Sequence, residues 1–134
     1  MADSAHPGQS NRKTVLVVED SPTQSLHVQA LLEQHGLHVM CAGDGRAGVR
    51  AARQSHPDLI LLDLQMPGLN GFQAYQELKK TSDTCAIPVI LFTRRDDPEA
   101  VLKGMEIGIT DYIPKDAFAD AVLVETLKQM GLIT

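Results

Sequence analysis

The chain has 134 residues, 12 Lys and Arg against 17 Asp and Glu, and a formal charge of −5, which suits one domain and leaves little room for two. That balance argues against the basic patch needed for non-specific binding to nucleic acid or an anionic membrane. Residues are 43% hydrophobic and 22% charged, a globular composition, and two cysteines, Cys41 and Cys85, supply no disulfide framework, so a cytoplasmic setting is expected.

In chain order, residues 1–12 are polar, with Gly, Ser and Pro, and are expected to form a tail ahead of a domain over 13–134. A continuous apolar run at 15–18 predicts the first strand. Ser21–Pro22 then has the form of a cap followed by proline in the first helical turn, and Gly36 is placed to stop that helix. The second strand is expected at 37–40, the next cap at Asp44, and the third strand at Leu59–Leu62. Asn70 is the following cap, 89–92 the fourth strand, and Asp97–Pro98 opens another helix that Gly108 ends. A fifth short strand at 112–113, a cap at Asp116 and a stop at Gly131 complete the chain. No apolar run approaches the ~20 residues of a spanning helix. Strand and helix alternate about five times, the pattern of an α/β domain with a parallel sheet covered on both faces.

In such a sheet, chemistry gathers beyond the carboxyl ends of the strands. There the sequence places Glu19 and Asp20 after the first strand, Asp63 after the third, Thr93 at the end of the fourth and Lys115 after the fifth. Each has a plain explanation alone: the acidic pair caps a helix, Asp63 forms a turn, Thr93 fills a strand, and Lys115 is solvated. Their joint occurrence at the ends of different strands outweighs those readings. Asp63, directly behind four aliphatic residues, sits where a carboxylate is costly without compensation. Three carboxylates together call for a hard cation with oxygen ligands, Mg²⁺ or Mn²⁺. An aspartate can attack phosphorus, and phosphoryl transfer then needs mostly positioning and charge neutralisation, from the cation, Lys115 and a hydroxyl.

These motifs, V-V-E-D, L-L-D-L-Q-M-P-G-L-N-G, L-F-T and Y-I-P-K in that order, resemble the receiver domain of two-component response regulators, of the stand-alone CheY-like kind. Thirty positions separate Asp63 from Thr93 and twenty-two separate Thr93 from Lys115, again similar to the family. The resemblance implies a flavodoxin-like doubly wound sheet in strand order 2-1-3-4-5. It implies Asp63 as phosphoacceptor, and Glu19, Asp20, Asp63 and the backbone carbonyl of Gln65 as metal ligands. Thr93 and Lys115 would follow the phosphoryl group. Tyr112 occupies the family's aromatic switch position, although simple packing of the last strand explains it equally well.

Two positions depart from the pattern. Asp116 stands where a cis proline usually follows the lysine, so that peptide is either trans or strained; Arg94 stands where a small residue is usual, and could cover the phosphoryl group or point away. The five histidines make no metal site, a Cys41–Cys85 bridge is not expected, and Lys79–Lys80 and Arg94–Arg95 look like solvated pairs.

The function implied is a switch. A sensor histidine kinase or a histidine phosphotransfer protein would phosphorylate Asp63, altering a partner-binding surface on the fourth helix, fifth strand and fifth helix, residues 98–131. The last helix is expected to carry Phe118, Val122 and Leu127, of which only some can face the sheet. The output protein is unknown, and the chain is expected as a monomer or a phosphorylation-dependent homodimer, with no nucleic-acid or membrane partner. It would be no enzyme beyond its own phosphorylation and dephosphorylation. Two alternatives stay open: a small Mg²⁺-dependent phosphatase or phosphotransferase with an Asp nucleophile, and a receiver-like module that binds without being phosphorylated.

Overall fold

Runs of aliphatic residues with no polar alternation become the three central strands, buried on both faces, while the two edge strands stay partly exposed. In the computed structural model, which describes residues 12–66, 68–94, 98–109 and 111–134, these are β1 (Thr14–Val18), β2 (His38–Ala42), β3 (Leu59–Leu62), β4 (Val89–Thr93) and β5 (Tyr112–Pro114). Helices α1 (Pro22–Gln34), α2 (Gly45–Ser55), α3 (Gly71–Lys80), α4 (Pro98–Glu106) and α5 (Ala119–Gln129) alternate with them. The strands form one parallel sheet in the order β2-β1-β3-β4-β5, the flavodoxin-like arrangement. Residues 1–11 of the expected tail and the expected cap at Asp97 fall outside the described residues.

Alternation along the strands sorts the core into two layers. Leu16, Val18, Ile60, Leu62, Val89 and Leu91 pack with Val49 of α2, Phe72, Tyr75 and Leu78 of α3, and Ala100 of α4. Val15, Val17, Leu59, Leu61, Ile90 and Phe92 pack with Val28 and Leu32 of α1 and with Leu123 and Leu127 of α5. The register aligns the strand ends. Val18 pairs with Leu62, Leu62 with Leu91, and Thr93 with Pro114. Glu19, Asp63 and Lys115 therefore each stand one residue beyond a strand end, on the same edge.

The caps follow the sequence at Ser21, Asp44 and Asn70. Their side chains accept from Gln24 N–H at 3.3 Å, Ala47 N–H at 2.8 Å and Gln73 N–H at 3.0 Å. The Gln73 side chain in turn accepts from Asn70 N–H, closing a capping box. Gly36, Gly108 and Gly131 all take left-handed φ and end their helices as expected.

Three expectations need correction, and one open alternative is settled. The second strand begins at His38, not Leu37, because Leu37 N–H is spent on Leu32 O (3.3 Å) beside the Gly36 N–H to Glu33 O bond (3.0 Å), a Schellman end for α1. Asp116 does not cap α5. Its carboxylate accepts Phe118 N–H at 2.9 Å in a turn, and the helix starts at Ala119 without a side-chain cap. The Lys115–Asp116 peptide is trans, since the described residues contain no cis bond. Lys79 is no solvated lysine. Its ammonium donates to the carbonyls of Cys85 and Ile87, both at 2.9 Å, above the Tyr75 ring, and burial lowers its pKa from the usual 10.5. Cys41 and Cys85 are free and exposed.

Candidate functional site

The carboxyl edge of the sheet opens into a cleft of about 370 Å³, lined among others by Glu19, Asp20, Asp63, Gln65, Arg94 and Lys115. Glu19, Asp20 and Asp63 each bring a carboxylate oxygen within 4.8 Å of the others. Glu19 and Asp63 are buried and Asp20 is exposed. Such crowding is repulsive unless cations intervene.

One cation is supplied by the chain. Lys115 leaves β5 with its side chain 9% exposed and its ammonium bridging two strands, donating to Glu19 Oε1 and to Asp63 Oδ2, the latter at 3.2 Å. Its Nζ also stands 5.5 Å from the centre of the Phe92 ring. Lys115 N–H donates to Thr93 O at 2.9 Å, tying β5 to β4 as they enter the site. The other Glu19 oxygen accepts Ser21 N–H at 3.1 Å, and Asp63 Oδ1 accepts Gln65 N–H at 3.1 Å. Burial raises the Glu19 pKa above the ordinary 4.5, outweighing the opposing hydrogen bonds from Lys115 and Ser21.

The charges fit a divalent ion. Three carboxylates against one ammonium leave two negative charges, all donors are hard oxygens, and exposed Asp20 keeps one side accessible. Among the described residues this is the one such cluster of His, Cys, Asp and Glu, and the histidines contribute nothing to it. His27 instead meets Asp120 at 2.7 Å, joining α1 to α5.

The remaining expected residues occupy different surroundings. Thr93 ends β4 fully buried, behind the cleft. Arg94, the next residue, is exposed at the cleft mouth. Tyr112 lies on the sheet face it shares with Leu91, half-buried beside a groove of about 400 Å³ against Ala100, Val101, Gly104 and Met105 of α4. By strand parity Thr93 belongs to that same face. Gln65 presents its N–H to the acceptor candidate.

Sequence reading misses Gly71. A Cβ there would lie 2.5 Å from Asp63 O and 2.7 Å from Leu64 Cα, so α3 begins directly against the segment carrying Asp63. The Asn70–Gly71 pair is visible in the sequence as a cap, but the close approach is not. Thr23 and Gln24 also line the cleft, since the first turn of α1 follows Asp20 immediately.

The fold, with its acidic cluster and bridging lysine, defines a signalling receiver. The chain belongs to the response regulator receiver domain family, whose model matches residues 15–128. It is 44% identical over 109 residues to Protein PilH of Pseudomonas aeruginosa, covering 81% of this chain and 90% of that one. The phosphate regulon transcriptional regulatory protein PhoB of Escherichia coli is 39% identical over 116 residues, but the chain spans only 50% of its length. Among solved structures, Vibrio cholerae chemotaxis protein CheY4 superposes with a TM-score of 0.80 at 29% identity, covering 88% of this chain and 98% of that one. The receiver domain of sensor histidine kinase PA1611 from Pseudomonas aeruginosa gives the same score and identity over 88% and 96%, with magnesium coordinated in its active-site cleft. Among the described residues no helix is long and apolar enough to cross a membrane.

Proposed function

We propose that the chain is a phosphorylation-dependent switch that accepts a phosphoryl group on Asp63 and signals through the surface formed by α4, β5 and α5. The observation that carries this reading is the Lys115 ammonium bridging Glu19 and Asp63, from three strands, over a cleft open to solvent. It orients one carboxylate, Asp63, and provides a cation beside it.

Glu19, Asp20, Asp63 and the Gln65 backbone would hold Mg²⁺ or Mn²⁺, which supplies neutralisation of the phosphoryl oxygens when bound. In the transfer, a carboxylate oxygen of Asp63 attacks phosphorus as the bond to the donor's imidazole nitrogen breaks, the bonding pair leaving with that nitrogen. The product is an acyl phosphate on Asp63. Lys115 can then move from carboxylate to phosphoryl oxygen without leaving its pocket, and Gln65 N–H stays directed at the same group. The donor would be a histidine kinase or a histidine phosphotransfer protein, and no external substrate would be turned over.

Relay to the surface runs along β4 and β5. Thr93 is drawn toward the new charge, and Tyr112, on the same face, repacks against α4. The receiving surface has unusual apolar exposure: Leu102 at 60%, Met105 at 67% and Phe118 at 72%. Phe118 stands ahead of α5 and Leu127 is buried, so the apolar residues expected along the last helix divide between surface and core.

Intact-mass spectrometry after incubation with Mg²⁺ and acetyl phosphate tests the reading, wild type beside Asp63→Ala. One labile phosphoryl group on wild type alone is expected. Gain by neither protein favours the phosphorylation-independent module, gain by both misplaces the acceptor, and sustained release of phosphate favours the phosphatase.

A further inference from the structure

Arg46, Arg50 and Arg53 lie at i, i+4 and i+7 on α2, stacked along about 10 Å of one helix face. All three are exposed, and with Val49, Leu69 and Glu77 they line an open groove of about 540 Å³ between α2 and α3. A chain of net charge −5 thus concentrates three of its 12 basic residues in one groove. Among the described residues none of the three makes an ion pair or a hydrogen bond. Glu77, the acidic member of the lining, is 3.5 Å from Lys80 instead. A helix that is merely solvated gains from opposite charges at these spacings, whereas like charges three and four apart repel and destabilise it. A partner of opposite charge removes that cost.

We infer that this groove docks an acidic, amphipathic helix of another protein. Carboxylates spaced i, i+4 and i+7 on such a helix repeat at the same interval as the arginines, and each guanidinium can take one bidentately. Val49 and Leu69 give the groove an apolar strip for one aliphatic side chain of the partner. A nucleic-acid backbone would leave that strip uncovered. The floor is firmly set: a Cβ on Gly45 would collide with the Leu69 carbonyl, and one on Gly48 would lie 2.8 Å from Val18 Cγ2. Leu69 belongs to the loop that runs from Asp63 to Gly71, so the docked helix rests on the segment leaving the proposed acceptor. This surface is on the opposite side of α3 from α4, and docking there does not require that Asp63 be phosphorylated.

The test is an NMR titration of the ¹⁵N-labelled full chain with an alanine-based helical peptide. The peptide needs about 15 residues to hold its helix, with glutamates at i, i+4 and i+7 and a leucine between them. A permuted peptide with the glutamates scattered around the helix and an oligothymidylate serve as controls. Expected are shifts confined to α2, α3 and the loop 64–70, and dissociation constants about tenfold weaker for the permuted peptide and for Arg50→Ala/Arg53→Ala. Both arginines are exposed, so the spectrum of the double variant should remain that of the folded protein. Binding should also weaken steeply with salt. Equal affinity for the permuted peptide, unchanged affinity of the double variant, tighter binding of the oligothymidylate, shifts elsewhere, or no binding would each overturn the inference.

Discussion

Replacing Gly71 by alanine probes how tightly the segment carrying Asp63 is held. The added Cβ would lie 2.5 Å from Asp63 O, 2.7 Å from Leu64 Cα and 3.0 Å from Leu64 Cδ2, where ordinary carbon contacts are ~3.5–4 Å. Only the last of these atoms is the movable end of a side chain. Either α3 must slide outward or the backbone after β3 must retreat, by about 1 Å. Overpacking of this kind costs about 1–3 kcal/mol. The helix preference of alanine over glycine, about 1 kcal/mol in a helix interior, returns less at a first helical position. The net loss is about 1–2 kcal/mol, equivalent to a fall in Tm of about 4–8 °C for a domain of this size. Thermal and urea unfolding followed by circular dichroism would read it. Gly43→Ala is the control: a Cβ there meets nothing within 4 Å, and its stability should stay within about 0.5 kcal/mol of wild type. Because the displaced segment carries Asp63, phosphorylation by acetyl phosphate should also slow by about tenfold. A Gly71→Ala protein that melts with Gly43→Ala and wild type would refute the steric reasoning.

Lys115→Ala removes the one ammonium among three carboxylates, so Mg²⁺ should bind about tenfold tighter by calorimetry while phosphorylation slows by tenfold or more; weaker Mg²⁺ binding would contradict the charge count. Burial makes Glu19 hold its proton above the ordinary 4.5, and a cation binds only the ionised form. Mg²⁺ affinity should therefore fall on acidification through that raised pKa, level off at higher pH, and be accompanied in the sloping range by proton release, visible as a buffer-dependent calorimetric heat. Arg94 is exposed at the cleft mouth, and Arg94→Ala should shorten the acyl-phosphate lifetime about two- to fivefold if the guanidinium shields the group from water. Equal lifetimes would return Arg94 to the solvent.

The proposed site and the proposed output face are separate regions joined by two strands. Asp63 and Lys115 meet at the carboxyl edge, whereas Tyr112 faces α4 beside Ala100 and Met105. Thr93 belongs by parity to the Tyr112 face and passes its carbonyl to Lys115 N–H. In the proposed switch, a change of charge at Asp63 would reach that apolar surface along β4 and β5, which pair Leu91 with Tyr112 and Thr93 with Pro114.

Local sequence determined the strands, three helix caps and the three left-handed glycine stops, because aliphatic runs, Ser21, Asp44, Asn70 and Gly36 act on their own neighbours. It also determined which residues would converge, since Glu19, Asp63 and Lys115 each follow a strand and parallel strands end at a common edge. Tertiary structure alone decided the rest. That Lys115 reaches Glu19 as well as Asp63 depends on β5 standing two strands from β3 and on the register between them. Lys79 looks solvated in the sequence because its acceptors, Cys85 and Ile87, are carbonyls of a loop whose path no local pattern encodes. Gly71 looks like a plain helix start because the Asp63 carbonyl that forbids a side chain arrives from β3. Short-range hydrogen bonding and burial preference are written in neighbouring residues, but distances between elements arise only when the helices settle on the sheet.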